Sequence, residues 1–425
     1  MSSGDRPAGP RPAGRPPVGA RGTRAAHERL RSAEAGLPPV TKLLREIRVE
    51  NFRSARRLVL RPGPICAFIG EPGAGKSNGL FAIRALLDPD FDLSSDDVTW
   101  GERELSIEAT LGSRQVVSLD ERDGAPPIVH FPAALRGGQL VAGGRDHPAV
   151  VAIHDSVRHS LERAPAPRVA LVQAIERCVD LIDGVVFAIE EPELFLAPQG
   201  HRYLYRLFRR LAERGNQVFY TTHSPGLLNV AALEEINLVS RDELGITSVE
   251  RLRPIDVDDT FRTLCEFDAE RAELFFSRAA ILVEGMTEKM TFPFVFRALG
   301  HDADREQISI VECGGKANLP LFVEICRRGR VPYVVVHDSD LRPHREPVES
   351  EVKLNALIRR KAGARRTVLL EPDFEGVAGF RRRGHKPERA WSRIANTRRE
   401  ELPAPLVRAV ELALRSARPG PPTYS

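Results

Sequence analysis

Long apolar runs are missing from this 425-residue chain. None approaches the ~20 residues that a membrane-spanning helix requires, so a membrane role has no support. No apolar core of a signal peptide stands near the N-terminus, and the expected address is the cytoplasm. Cysteine is scarce: Cys66, Cys178, Cys265, Cys313 and Cys326 include no C-x-x-C pair. That spacing excludes a regular disulfide framework and a zinc ribbon, and implies reduced, mostly buried thiols. Internal repeats are absent as well. What remains is the composition of a globular protein, 42% hydrophobic and 28% charged, with room for two or three domains.

Charge of one sign is short only locally. The net charge is +4, yet Lys353 to Arg399 holds 14 Lys and Arg against 4 acids, a local net of +10. This asymmetry points to a polyanionic partner near that segment, with a solvated basic face as the plain alternative.

Residues 1–40 carry many Pro, Arg, Ala and Gly without apolar periodicity and are expected to form a disordered basic tail. From there "LLREIRVENFRSARRLVL" alternates like two short strands, "ICAFIG" reads as a buried strand and "GKSNGLFAIRALL" as a helix. Short strands are expected at 100–120, loop at 121–150 and broadly helical structure over Val150 to Val179. "GVVFAIEEPE" is a strand, "QGHRYLYRLFRRLAERG" a helix and "QVFYTTHS" a strand. After a weak stretch near 256–275, read as a linker, a second series follows. Its strands are "AAILVEG", "QISIVEC", "YVVVHDSD" and "TVLLEP", with helices over 287–299, 317–328 and 349–362. Such alternation predicts an α/β protein with parallel sheets in both halves, at 41–255 and 276–425.

"GEPGAGKS", Gly70 to Ser77, matches G-x-x-x-x-G-K-[ST] between a strand and a helix. Glycines such as Gly70, Gly73 and Gly75 let backbone N–H groups close around phosphates, Lys76 reaches the outer phosphates and Ser77 ligates magnesium. A second strand ending in acids should complete an ATP site. Glu190 stands where a magnesium-associated acid belongs, Glu191 where a base orients water, and His223 in "TTHSP" where a side chain senses the γ-phosphate.

The second series also ends its strands in acids: Glu284, then Asp338 and Asp340, then Glu371 with Asp373 and Glu375 close by. In a doubly wound sheet these ends lie along one edge. Carboxylates gathered there need cations, and oxygen ligands suit Mg²⁺ or Mn²⁺. In "ILVEGMTEKM", Gly285 is expected to turn the chain tightly, so that Glu288 returns from the first helical turn.

"IRVENFRSARRLVL", "GEPGAGKSN", "AIEEPELFLAP" and "TTHSP" resemble the ABC-type ATPase half of the overcoming-lysogenization-defect (OLD) family. "FFSRAAILVEGMTEKMTFP", "VECGGKANLP" and "VVVHDSD" resemble its Toprim half. The resemblance covers roughly residues 43–395. It implies an ABC-type P-loop ATPase domain followed by a Rossmann-like Toprim domain, with Asn78 among the ATP-binding positions. It implies Glu284 and Glu288 as metal ligands or general base, Asp338 and Asp340 as metal ligands, and Glu371 and Glu375 as further members. A basic residue that stabilises the transition state maps to Lys386 in "GHKPERA", with Lys316 of "GGK" second. A homodimer or higher homo-oligomer, DNA as substrate, a role in prokaryotic anti-phage defence and a partner helicase complete the expectation.

Two departures stand out. The Ser/Gly-rich signature turn should fall near 158–170, where "RHSLERAPAPRVALV" has no glycine, and Ala197 replaces the family's usual histidine. The helical arm and dimerisation insert are short. ATP binding is therefore expected, with slow hydrolysis. Two other readings fit the same motifs: an ATP-gated RNase or tRNase, and a non-cleaving ATP-switched DNA-binding scaffold.

Overall fold

The computed structural model describes residues 44–87, 95–102, 105–111, 116–121, 135–136, 139–140, 149–153, 172–173, 175–176, 179–180, 184–194, 196–256, 268–341, 346–379 and 386–418. The expected tail at 1–40, most of the expected loop at 121–150 and the signature region at 158–170 lie outside them.

The N-terminal half begins with strands β1 (Leu44–Phe52), β2 (Ala55–Leu60) and β3 (Ile65–Ile69), followed by helix α1 (Lys76–Leu87). Next come β4 (Leu105–Leu111), β5 (Val116–Glu121), the two-residue strands β6 (Leu135–Arg136) and β7 (Gln139–Leu140), and β8 (Ala149–Ile153). Strand β9 (Val185–Glu190), helix α2 (Pro198–Glu213), and strands β10 (Gln217–Thr221), β11 (Ile236–Arg241) and β12 (Thr247–Arg251) complete it. An antiparallel sheet has the order β2-β1-β4-β5, and a second sheet the order β12-β11-β3-β10-β9-β8. In the second sheet only the β11–β12 pair is antiparallel.

The C-terminal half alternates as its sequence pattern requires. Strand β13 (Ala279–Val283) leads to α3 (Met286–Ala298), β14 (Ile308–Glu312) to α4 (Leu319–Arg328), and β15 (Tyr333–Asp338) to α5 (Glu349–Ala362). Strand β16 (Thr367–Leu370) is followed by α6 (Phe374–Ala378), α7 (Lys386–Ile394) and α8 (Ala404–Ser416). All pairs in the sheet β14-β13-β15-β16 are parallel, so every strand ends at the same edge.

Successive strand residues point to opposite faces, and each central strand here divides between two cores. Ile65, Ala67 and Ile69 of β3 enter one cluster, whereas Cys66 and Phe68 enter a second beneath α1 and the antiparallel sheet. In β13, Ala280 and Leu282 join the first cluster, and Ala279, Ile281 and Val283 join a third under α3 and α8. The first cluster is thus common to both halves: one face of each parallel sheet packs there, with α2 and α4 contributing Phe208 and Phe322. Strands buried on both faces must be apolar throughout, which is why "ICAFI" and "AAILV" lack alternation.

One expectation is corrected. Val150–Ile153, read as the start of a helix, belongs to β8, which pairs in parallel with β9. A short apolar run has no periodicity to distinguish strand from helix, and the open edge of β9 decides it. Cys66, Cys313 and Cys326 are buried free thiols, as expected, while Cys178 and Cys265 lie outside the described residues. Among the described residues no helix is long and apolar enough to cross a membrane.

Beneath α2, Tyr205 donates its hydroxyl to Glu235 Oε2 at 2.8 Å. Burial pushes the Glu235 carboxyl up to about 7, so folding favours its protonated form. This contribution is complete below the ordinary carboxylate pKa of 4.5 and is lost as pH rises through 7. Glu235→Gln, which keeps an acceptor without a charge, should raise Tm by about 2–4 °C at pH 8 and change it little at pH 5. Paired thermal melts at the two pH values check this.

Candidate functional site

Two groups of chemically active residues sit at strand ends. The first is the P-loop between β3 and α1. Gly70 (φ +154°) and Gly75 (φ +96°) adopt conformations that disfavour side chains. A Cβ would lie 2.1 Å from the Val239 carbonyl oxygen at position 70 and 2.3 Å from Thr247 Oγ1 at position 75. Gly73 also has positive φ, and open space surrounds it. Lys76 Nζ curls back to donate to the carbonyls of Gly70 (3.1 Å) and Glu71 (3.0 Å). Burial pulls the Lys76 pKa down, opposed by the charges of Glu191 and Glu193.

Ser77 Oγ donates to Glu190 Oε1 at 2.5 Å, which brings the expected magnesium-binding hydroxyl and acid together across α1 and β9. Glu191 has φ +42°, and its N–H donates to Thr221 Oγ1 at 3.0 Å, fixing the turn that leaves β9. Its carboxylate stands 3.8 Å from His223 Nε2. Burial lowers the His223 pKa, and the Lys76 charge adds to this while the Glu191 charge opposes it. Asn78 donates its amide to Ser54 Oγ at 2.6 Å, and Thr247 Oγ1 joins Ser54 to the Ala74 carbonyl. In this arrangement Asn78 braces the loop from behind.

Sequence reasoning missed Glu193. This buried carboxylate accepts from the His223 N–H at 2.7 Å and from Thr222 Oγ1 at 2.9 Å, and so positions the histidine. Its only signal was a third acid in "EEPE". Ala197 precedes α2 without a side-chain cap, so Pro198 at the first helical position starts that helix.

The second group lies at the carboxyl edge of β14-β13-β15-β16. Glu284 follows β13, and its Oε1 accepts the Asp338 N–H at 2.7 Å, joining the ends of two neighbouring strands. Asp338 Oδ1 in turn accepts the Phe374 N–H at 2.8 Å, which ties β15 to α6. Glu288 is buried in the first turn of α3. Gly285 sits in the bend between the end of β13 and the start of α3. Its backbone is extended (φ −155°), and a Cβ there would only touch Glu288 Oε2 at 3.7 Å. Asp340, at φ +56°, accepts from Lys316 Nζ at 3.0 Å, and the same ammonium reaches Glu351 Oε2 at 2.8 Å. Glu371 is exposed after β16, Asp373 caps α6 through the Gly376 N–H, and Glu375 is buried in that helix.

Of the two candidate basic residues, the structure brings Lys316 into the acid group. Lys386 begins α7, and its side chain lies outside the described residues. The basic segment divides. Arg359, Arg360, Lys361, Arg365 and Arg366 are exposed just before β16, at the opposite edge of the sheet from Glu284 and Asp338. Arg389 belongs to α7, beyond α6.

Burial pushes the Glu284 carboxyl up to about 7, and the charges of Glu288 and Asp340 add to the rise. Among the described residues no three His, Cys, Asp or Glu side chains form a ready metal cage. Backbone N–H groups and Lys316 compensate these acids instead. The donor chemistry nevertheless fits a hard divalent cation, because crowded carboxylate oxygens lose mutual repulsion when one binds.

Residues 275–340 match the family model of the overcoming lysogenization defect protein-like TOPRIM domain. Residues 171–229 match that of the AAA domain described as a putative AbiEii toxin of a type IV toxin–antitoxin system. The chain is 34% identical over 241 residues to the OLD nuclease of Thermus scotoductus, covering 52% of this chain and 45% of that protein. It is 27% identical over 255 residues to the Old nuclease of Escherichia phage P2, covering 54% and 43% respectively. The chain thus spans somewhat less than half the length of these relatives. The solved C-terminal region of the Burkholderia pseudomallei OLD protein aligns with 33% of this chain and 98% of its own, at 15% identity and TM-score 0.28. The chain carries an OLD-like Toprim domain behind an AAA-type ATPase segment, and it is similar to the OLD nucleases over about half of its length.

Proposed function

We propose that this chain is an ATP-regulated, divalent-metal-dependent DNA endonuclease acting in prokaryotic anti-phage defence. The observation that carries the reading is the bond from the Asp338 N–H to Glu284 Oε1. It sets the acids of two adjacent parallel strands side by side, within the segment that matches the OLD-like Toprim model. Glu284, Glu288, Asp338 and Asp340 would hold the cations, with Glu371 and Glu375 as outer members. Bound Mg²⁺ or Mn²⁺ supplies charge neutralisation for the attacking and leaving oxygens of a phosphodiester. Glu284 would either hold a cation or take the proton of the attacking water. Lys316 presents a buried ammonium to the same edge and would stabilise developing phosphate charge.

On the ATPase side, the loop N–H groups and Lys76 receive the phosphates, and Ser77 with Glu190 would hold Mg²⁺. Glu191 orients water, and His223, braced by Glu193, faces the γ-phosphate. The sequence offers no glycine where a signature loop would present N–H groups. Hydrolysis should therefore run on the order of 10²-fold slower than in an ABC-type ATPase that has one. Phosphate-release kinetics on purified protein check this, and brisk turnover would show that another segment serves.

The substrate is tested by offering supercoiled plasmid and tRNA side by side with Mg²⁺ or Mn²⁺, with and without ATP. Nicked or linear plasmid beside intact tRNA is expected. Inert plasmid beside cleaved tRNA would move the activity to RNA, and loss of neither would leave a DNA-binding scaffold.

A further inference from the structure

A cavity of about 770 Å³ lies between the P-loop and the starts of the Toprim strands. One wall is the first part of the loop, Gly70 to Ala74, with His223. The facing wall carries Arg278, just before β13, Arg330, just before β15, and Arg418, just after α8. Arg241, at the end of β11, adds a fourth guanidinium, whose Nη1 is 3.5 Å from the Gly73 carbonyl oxygen. Glu71 is the single acid among the lining residues. Arg330 also pairs with Glu250, which leaves Arg241, Arg278 and Arg418 facing the one carboxylate of the lining, an excess of positive charge that suits an anion, and the volume lies within the range of ligand pockets.

The arginines are built into place. Arg278 Nε donates to the Arg418 carbonyl at 2.6 Å, and the Arg418 N–H returns a bond to the Arg278 carbonyl at 3.0 Å. The Arg418 guanidinium donates to the carbonyls of Gly329 and Arg330. Burial disfavours the charged form of Arg418, and Glu71 is the foremost group opposing that cost. A half-buried guanidinium next to a phosphate-binding loop gains from a bound polyanion.

We propose that Arg278 and Arg418 are positioned to receive the γ-phosphate of the nucleoside triphosphate held on the P-loop of the same chain. The Toprim half would then supply the contacts that distinguish triphosphate from diphosphate. The orientation is argued from His223, the side chain read as the γ-phosphate sensor, which lines the cavity with the leading half of the loop, whereas Lys76, Ser77 and Asn78 do not. The same Toprim strands that start at this wall, β13 and β15, end at Glu284 and Asp338. This inference rests on the P-loop being a nucleotide site, as proposed above.

The test is equilibrium titration of the full chain with ATPγS and with ADP, both with Mg²⁺. Wild-type protein should bind ATPγS at least tenfold more tightly than ADP. Arg418→Ala and Arg278→Ala should each lose most of that preference while leaving ADP affinity within about twofold, because only the third phosphate reaches the wall. Arg418→Lys, which keeps the charge, should restore part of it. Circular dichroism identifies folded variants, and Arg278→Ala carries the test if Arg418→Ala does not fold. A preference unchanged in a folded variant overturns the proposal, and so does a wild type that binds both nucleotides equally. Failure of the wild type to bind either nucleotide would remove the P-loop reading as well.

Discussion

Lys76→Ala is expected to weaken nucleotide binding by at least about 100-fold, the loss of a charge-assisted contact to a polyphosphate in a half-enclosed loop. The loop itself should survive. The substitution removes the Lys76 bonds to the Gly70 and Glu71 carbonyls, but the positive φ of Gly70 and Gly75 and the Asn78–Ser54–Thr247–Ala74 chain of hydrogen bonds remain. Burial already disfavours the Lys76 ammonium, so its removal should leave Tm unchanged or slightly higher. A titration with a fluorescent ATP analogue beside a thermal melt separates the two effects. Affinity within threefold of wild type, with an intact melt, would show that phosphates are held elsewhere.

Glu284→Gln is the second large effect, and the substitution is chosen for what it preserves. Glu284→Ala would remove the acceptor for the Asp338 N–H and disturb the junction of β13 with β15, mixing a folding effect with a chemical one. Glutamine retains a carbonyl oxygen for that bond and removes only the charge and the capacity to take a proton. Cleavage of plasmid should fall by roughly 10²–10⁴-fold, the usual range for a lost general base, with nucleotide affinity unaffected. Asp338 offers no equally clean substitution, because its Oδ1 also anchors the Phe374 N–H.

Much of this was legible because buried parallel strands leave a strong trace. "ICAFI" is a continuous apolar run that leads into the P-loop, "VVFAIE" and "YVVVHD" are apolar runs ending in acids, and helix α5 occupies the residues its periodicity indicates, 349–362. The P-loop was legible through its motif alone. Groups assembled from distant points were not. Lys316 meets Glu351 across 35 residues, and Asp338 meets Phe374 across 36, pairings that no local spacing encodes. Arg278, Arg330 and Arg418 flank three separate elements and face one cavity only because the two parallel sheets share a core. Val150–Ile153 was misjudged because an apolar tetrapeptide carries no period.

The central claim is that one chain joins a P-loop to a carboxylate-edged site that cuts phosphodiesters. Its most direct measurement is the rate of supercoiled-plasmid nicking by wild-type and Glu284→Gln protein, titrated with Mn²⁺ at constant ATP. Nicking that rises with Mn²⁺ in the wild type and stays at background in the variant is the predicted result. Equal nicking by both proteins, or none by a folded, nucleotide-binding wild type at any Mn²⁺ concentration, would contradict it.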